Sequence, residues 1–137
     1  MKSKIVASCL YLLIIVSPSC KKDSFPDIVG QWVSDAVYIK QENGTFNWVE
    51  GPRFSEHFNF YPDSRFAYMS DVPGGHGTYS YNNGTKDLLL NYEADPYGNI
   101  PQTVTYKVEK LNNDKLIIAY YSAAGSLFAK TEYSRVN

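Results

Sequence analysis

The chain has 137 residues, of which 44% are hydrophobic and 20% are charged, and its formal net charge is −1. This length is typical of one domain, and the composition is that of a folded globular protein rather than a disordered chain. Without residues 1–19, 11 basic side chains face 14 acidic ones. The charge balance therefore gives no electrostatic reason to expect nucleic acid or an anionic membrane surface as a partner.

The N-terminus has the pattern of a secretory signal peptide. Lys2 and Lys4 precede an apolar run of 12 residues, Ile5 to Val16. That run is short for a bilayer span, which needs about 20 residues, and it is typical of the hydrophobic region of a signal peptide. A buried N-terminal helix is the alternative, but small and then charged residues follow at once. We expect residues 1–19 to be the signal peptide.

The next segment carries a lipidation motif. Ser17-Pro18-Ser19-Cys20 resembles the lipobox of bacterial lipoproteins, in which a small residue precedes the cysteine. The resemblance implies that Cys20 is acylated, becomes the first mature residue, and anchors the protein in the cell envelope, at the outer membrane. Residues 20–26 would then be the lipidated cysteine and its tether, and the tether itself, Lys21 to Pro26, reaches about 20 Å at roughly 3.3 Å per residue. The other cysteine, Cys9, lies in the signal peptide, so we expect core burial alone to hold the domain together.

The chain from residue 27 onward is predicted to be all-β, because it shows turn signals at short intervals and no sustained helical periodicity. The first predicted strand, Ile28 to Lys40, carries the tripeptide Gly30-Gln31-Trp32. Thr45 to Glu50 is either a short strand or an edge. The other predicted strands are Arg53 to Tyr61, Arg65 to Asp71, Gly77 to Tyr81, Lys86 to Tyr92, Gln102 to Leu111, Lys115 to Tyr121 and Leu127 to Val136.

The connections between these strands are short. Asn82-Asn83-Gly84 predicts a hairpin with a type I′ turn, and Glu93 to Pro101 predicts a loop at one end of the sheet. No connection has room for a crossover helix, so neighbouring strands should be antiparallel. Eight such strands, or nine with Thr45 to Glu50, can close into an up-and-down barrel over residues 27–137. An open sandwich or a meander sheet is the alternative.

Three motifs resemble a known family. They are Gly30-Gln31-Trp32, the segment Phe58-Asn59-Phe60-Tyr61-Pro62-Asp63-Ser64-Arg65-Phe66, and the terminal Tyr133-Ser134-Arg135. In order and spacing they look like the lipocalin-like domains of bacterial outer-membrane lipoproteins, over roughly residues 26 to 137. The resemblance implies a calycin-like barrel with Trp32 plugging one end and Arg135 stacked across its ring, a cation–π contact worth about 0.5–2 kcal/mol.

Aromatic residues are the unusual feature of the composition. Twenty remain after residue 19: eleven Tyr, seven Phe and two Trp. A buried Tyr needs a partner for its hydroxyl, so inward-facing tyrosines predict a pocket with polar groups. The expected lining is Phe58, Phe60, Phe66, Tyr68, Tyr79, Tyr81, Leu88, Leu90, Tyr106, Ile118 and Tyr120. Alternatively, strands simply favour Tyr and Phe, and the hydroxyls reach solvent.

Catalytic and metal-binding motifs do not stand out. His57 and His76 are the only histidines, and Glu56 and His57 are neighbours on a predicted strand, so their side chains should point to opposite faces. There is no Gly-x-Ser-x-Gly, P-loop or paired-carboxylate spacing. We therefore expect no metal, no cofactor and no enzymatic activity.

Three functions remain open from the sequence. The first is a lipid-anchored, monomeric barrel that binds a small apolar or amphipathic ligand. The second is a protein-interaction or accessory module with a filled barrel. The third is carbohydrate binding through exposed tyrosines and Trp48. An aromatic-lined cavity would favour the first, a filled barrel with an exposed apolar patch the second, and coplanar exposed rings the third.

Overall fold

The computed structural model describes residues 27–50, 56–70, 74–96, 98 and 100–137. These residues form nine β-strands and no helix. The strands are β1 Gly30–Lys40, β2 Phe46–Glu50, β3 His57–Phe60, β4 Arg65–Met69, β5 Gly75–Asn82, β6 Asp87–Tyr92, β7 Gln102–Leu111, β8 Lys115–Tyr121 and β9 Leu127–Arg135. No helix that could span a membrane is present in the described part of the chain. The expectations for the signal peptide and Cys20 concern residues outside it.

The fold is a closed antiparallel barrel of eight strands, with β2 as an extra strand. Consecutive strands from β3 to β9 pair as hairpin neighbours, and β1 closes the ring. One edge of β1 pairs with β3 over Gly30 to Val33, and its other edge pairs with β9 over Trp32 to Ile39. The prediction of an all-β barrel with eight strands, or nine with the short one, is confirmed.

The length of β1 explains why the sheet has the extra strand β2. β1 has 11 residues, whereas its neighbour β3 has four. The part of β1 that extends beyond β3, Ala36 to Lys40, pairs with β2 instead. A register shift between Ser34 and Ala36 interrupts the β1–β9 ladder, and such bulges add local twist to a strand. The hydroxyl of Ser134 on β9 donates a hydrogen bond to Asp35 at this bulge.

The two ends of the barrel differ. At the closed end lie residues 27–29 and the β3–β4, β5–β6 and β7–β8 turns; at the open end lie β2 and the β8–β9 turn. Large apolar side chains fill the closed half because alternate residues of each strand point inward. The fully buried ones in this half are Trp32, Phe60, Phe66, Leu88, Leu90 and Leu116. Burial of each of these side chains away from water stabilises the fold by on the order of 1.5–3 kcal/mol.

One turn differs from its prediction. Residues 83–86 form a four-residue connection between β5 and β6, so the predicted type I′ turn at Asn82-Asn83-Gly84 is wrong. Asn82 Oδ1 accepts hydrogen bonds from the amides of Gly84 (2.9 Å) and Thr85 (3.1 Å). This Asx turn replaces the backbone geometry that the Asn-Gly pair favours. The positive φ falls on Lys86, at 61°, and not on Gly84.

The other strand boundaries lie close to the predicted ones. β7 and β8 match the predicted bounds, and β9 ends one residue earlier, at Arg135. β3 begins at His57, whereas the predicted strand began at Arg53; residues 53–55 are outside the part that the structure describes.

Candidate functional site

Trp32 closes one end of the barrel. Its side chain is fully buried, and its indole Nε1 donates a 2.8 Å hydrogen bond to the carbonyl oxygen of Ile28. The guanidinium carbon of Arg135 lies 4.2 Å from the centroid of the Trp32 ring, within cation–π range. The two residues singled out in the sequence as a barrel plug therefore contact each other, and they join the first strand to the last.

Arg135 holds this end together through three backbone carbonyls. Its Nε donates to Asn113 O at 2.6 Å, its Nη2 donates to Asp27 O at 2.7 Å, and its Nη1 donates to Val29 O. Gly30 makes the approach possible, because a Cβ there would lie 2.5 Å from Nη1 of Arg135. Its φ of 134° also favours glycine. The glycine of the Gly-x-Trp motif thus has two physical reasons to be glycine.

The open half of the barrel contains a cavity of about 340 Å³. This volume lies at the lower end of the range for small-molecule sites, roughly 300–1,000 Å³. The lining comes from β4, β6, β7, β8, β9 and the start of β3, and consists of Glu56, Phe58, Tyr68, Tyr92, Val104, Tyr106, Ile118, Tyr120, Phe128, Ala129, Thr131 and Tyr133. Phe128 is 66% exposed, which places it at the rim.

The expected lining residues divide into three groups. Those that line the cavity are Phe58, Tyr68, Tyr106, Ile118 and Tyr120. Those buried in the packed core, and absent from the lining, are Phe60, Phe66, Leu88 and Leu90. Tyr79 and Tyr81 pack half-buried against that core, and Tyr79 Oη donates to Tyr61 O at 3.0 Å. Strand alternation predicts which residues face inward, but their distance from the plug decides whether they fill the barrel or border the cavity.

Seven lining residues were missed in the sequence: Glu56, Tyr92, Val104, Phe128, Ala129, Thr131 and Tyr133. Three had a usable signal. Val104 alternates with Tyr106 on β7 and so shares its inward face. Tyr92 alternates with Leu88 and Leu90 on β6 and so shares their inward face. Glu56 shares the face of Phe58 and Phe60, where an acidic side chain on an apolar face is itself unusual.

Backbone pairing fixes the position of Glu56. The amide of Ser34 on β1 donates to Glu56 O at 2.9 Å, and the amide of Glu56 donates to Ser34 Oγ at 3.3 Å. Glu56 is therefore held at the start of β3, with its side chain in the cavity lining. The hydroxyl of Tyr133 donates a 3.0 Å hydrogen bond to Glu56 Oε2. Tyr133 is almost completely buried, and this bond provides its hydroxyl with an acceptor.

Four tyrosine hydroxyls share the electrostatic field of this carboxylate. Burial raises the pKa of Tyr68, Tyr92, Tyr106 and Tyr133, and the negative charge of Glu56 raises all four further. The pKa of Tyr106 rises to about 12. These hydroxyls stay protonated at neutral pH and can serve as hydrogen-bond donors inside the cavity.

The cavity walls are aromatic and carry one carboxylate. The Phe58 ring lies 4.8 Å from Tyr68 and 5.7 Å from Tyr133, and Tyr106 lies 5.8 Å from Tyr120, all measured between centroids. The described lining residues include no lysine, arginine or histidine. The formal charge of the lining is therefore −1, from Glu56.

Neither histidine belongs to the cavity lining. His76, on β5, has Nε2 3.7 Å from Glu93 Oε2, and both side chains are exposed. Across the described ranges no group of three or more His, Cys, Asp or Glu side chains could hold a metal ion.

The outer face of β1 and β2 carries a second aromatic group. Tyr38 stacks on Phe46 with an interplanar angle of 22° and lies tilted by 49° from Trp48. Trp48 is 44% exposed. Lys130 Nζ lies 5.7 Å from the Tyr38 ring centroid.

Comparisons with known proteins do not identify a family. No model of a known protein family matches the chain, and no curated protein matches it at a significant level.

Proposed function

We propose that this chain is a lipid-anchored, lipocalin-like binding protein of the cell envelope that takes a small apolar or amphipathic ligand into its open half. The observation that carries the proposal is the 340 Å³ cavity, which is bordered by six aromatic side chains besides the rim residue Phe128. The cavity lies opposite an end that Trp32 and Arg135 close. This arrangement supports non-catalytic binding through one mouth.

The cavity supports ligand binding over the two other functions. In a protein-interaction module with a filled barrel, the open half would be as tightly packed as the closed half. A carbohydrate platform would require coplanar exposed rings, but Trp48 is tilted by 49° from Tyr38, and Tyr38 stacks with Phe46 instead. The outer face therefore supports carbohydrate binding less well than the cavity supports binding of a small ligand.

Filling the cavity tests the proposal. Tyr120→Trp adds volume at the cavity wall, and Tyr121→Trp is its matched control, because Tyr121 is the next residue on β8, lies outside the cavity lining and is similarly exposed (39% against 41%). We expect the neutral dye N-phenyl-1-naphthylamine to bind the parent and Tyr121→Trp, with fluorescence enhancement, and not to bind Tyr120→Trp. The free energy of unfolding should be unchanged.

Two results would count against ligand binding. The first is a parent protein that does not enhance the dye's fluorescence. The second is a Tyr120→Trp variant that loses about 1–3 kcal/mol of stability, as over-filling a packed core does. That second result would favour the function of a protein-interaction module with a filled barrel.

The anchor is tested separately. The apolar run that ends near Ser19-Cys20 motivates the proposal of acylation at Cys20. Labelling of cells with a fatty-acid analogue should mark the parent chain, and Cys20→Ala should lose the label. Cys9→Ala is the matched control and should keep it. A label that persists in Cys20→Ala would reject Cys20 as the lipidated residue.

A further inference from the structure

The charge of the cavity narrows the kind of ligand that fits it. Glu56 is the one charged side chain among the lining residues that the structure describes, and no basic side chain of that lining neutralises it. Lys130 and Lys115, on β9 and β8, pair with other carboxylates, those of Glu109 and Glu132. Among the described lining residues, the hydrogen-bond partner of the Glu56 carboxylate is therefore a neutral hydroxyl group, that of Tyr133.

The partners of Glu56 leave it able to accept a further interaction. Tyr133 donates to Oε2 at 3.0 Å. A carboxylate offers about four acceptor positions on its two oxygens. Tyr133 holds the group in place without cancelling its charge, because a phenol donor is neutral. A cation entering the cavity would supply the counter-charge that the described lining residues do not supply.

The aromatic walls around this carboxylate also favour a cationic ligand. Aromatic faces attract cations, and rings grouped around a quaternary ammonium group are a recurrent recognition device. Tyr68, Tyr106 and Tyr120 line the cavity together with Phe58 and Tyr92. An anionic ligand such as a fatty acid would instead place its carboxylate beside that of Glu56, and no lysine or arginine of the described lining is available to it.

We infer that the ligand of the open cavity is a small organic cation, with an apolar body against the aromatic walls and an ammonium group facing Glu56. This inference rests on the proposed ligand binding and specifies the class of ligand. It narrows the expected apolar or amphipathic ligand to a cationic amphipathic one, because an acidic side chain belongs to the cavity lining.

A charge series on the purified full-length chain tests the inference without any mutation. The probes are phenyltrimethylammonium, its neutral isostere tert-butylbenzene, and the anion benzenesulfonate, which share a phenyl ring and a similar size. Dissociation constants are measured by protein NMR titration, with the tyrosine ring signals as reporters. We expect the cation to bind at least about tenfold more tightly than the neutral isostere, since a charge interaction in a partly desolvated site is worth that much. The anion should bind more weakly than either.

Glu56→Gln then assigns the preference to this carboxylate. The amide keeps an acceptor oxygen for Tyr133 and removes the charge. We expect the cation to lose its advantage, while tert-butylbenzene binds as before. Glu109→Gln is the matched control, because Glu109 pairs with Lys130 on another part of the surface and lies outside this cavity lining. Glu109→Gln should leave the dissociation constants of all three probes unchanged.

The outcomes separate the two levels of the proposal. If the neutral isostere binds the parent but the cation gains no advantage, or the anion binds most tightly, the inference about charge fails and ligand binding stands. If none of the three probes binds, both fail. A cation advantage that survives in Glu56→Gln, or that Glu109→Gln abolishes equally, would also overturn the role of Glu56. The parent series decides the charge preference even if Glu56→Gln does not fold.

Discussion

Arg135 should stabilise the barrel far more than its surface position suggests, and Arg135→Gln tests this. The substitution removes the stacking on Trp32, which is worth about 0.5–2 kcal/mol at 4.2 Å over a fully buried ring. It also removes three hydrogen bonds from a charged donor. The bond to Val29 O is half-buried and is worth about 1.5–3 kcal/mol, and the two exposed bonds contribute less. These contributions overlap, so we expect a total loss of about 2–4 kcal/mol.

The chain provides a matched control for this substitution. Arg65 also lies near an aromatic ring, with its guanidinium carbon 6.0 Å from the Tyr61 centroid, and it pairs with Asp63 at 2.7 Å. Its side chain and that of Asp63 are mostly exposed, so water screens both interactions. Arg65→Gln should therefore leave the urea midpoint, followed by far-UV circular dichroism, almost unchanged. Arg135→Lys keeps the charge but lacks the planar fork, and it should recover less than half of the loss.

Two results would refute this reasoning about the plug. One is an Arg135→Gln variant whose free energy of unfolding falls no further than that of Arg65→Gln. The other is full rescue by Arg135→Lys, which would mean that charge alone matters and not the three directed hydrogen bonds. A double-mutant cycle with Trp32→Leu isolates the stacking, and its coupling energy should be about 0.5–2 kcal/mol.

Two further predictions concern the buried aromatics. Trp32→Ala should cost about 3–5 kcal/mol in urea unfolding because the ring is fully buried, and a loss below about 1 kcal/mol would show that Trp32 is peripheral. Burial and Glu56 raise the pKa of Tyr133 above that of an unfolded tyrosine, so the folded state holds this proton more tightly. Stability from this group is complete below about pH 10 and falls above it by about 1.4 kcal/mol per pH unit. Unfolding midpoints between pH 8 and 11.5 should show the loss, Tyr133→Phe should lessen it, and equal slopes in the two proteins would contradict the assignment.

The strands were readable from the sequence because their signals are local. Alternation over Gln102 to Leu111 predicted β7 with the observed bounds. β8 was predicted with the observed bounds as a short apolar run, Lys115 to Tyr121, between turn residues. The turn after β5 was not readable in the same way. There the side chain of Asn82 competes with the preference of the Asn-Gly pair, and only the three-dimensional structure shows which prevails.

The cavity was only partly predictable because depth along the barrel is not a local property. Phe60 and Tyr68 both face inward, yet Phe60 is packed near the plug and Tyr68 lines the cavity. Their separation depends on how β3 and β4 are staggered against β1, which a single strand's pattern does not contain. The role of Glu56 depends in addition on its pairing with Ser34, 22 residues away in the chain.

Side-chain size, rather than the number of strands, opens one half of this barrel. An eight-stranded barrel is just wide enough for side chains to fill it, and Leu88, Leu90 and Leu116 do so beside the plug. The cavity lining on β9 instead includes the small residues Ala129 and Thr131. No described lining residue is a basic partner for Glu56, and a carboxylate is costly to bury in a dry core. Glu56 therefore disfavours collapse of the walls onto it and favours a space that water or a ligand can enter. The small side chains of Ala129 and Thr131 and the charge of Glu56 thus both favour an open cavity in the half of the barrel away from Trp32, at some cost in packing. The contacts of Arg135 stabilise the other end.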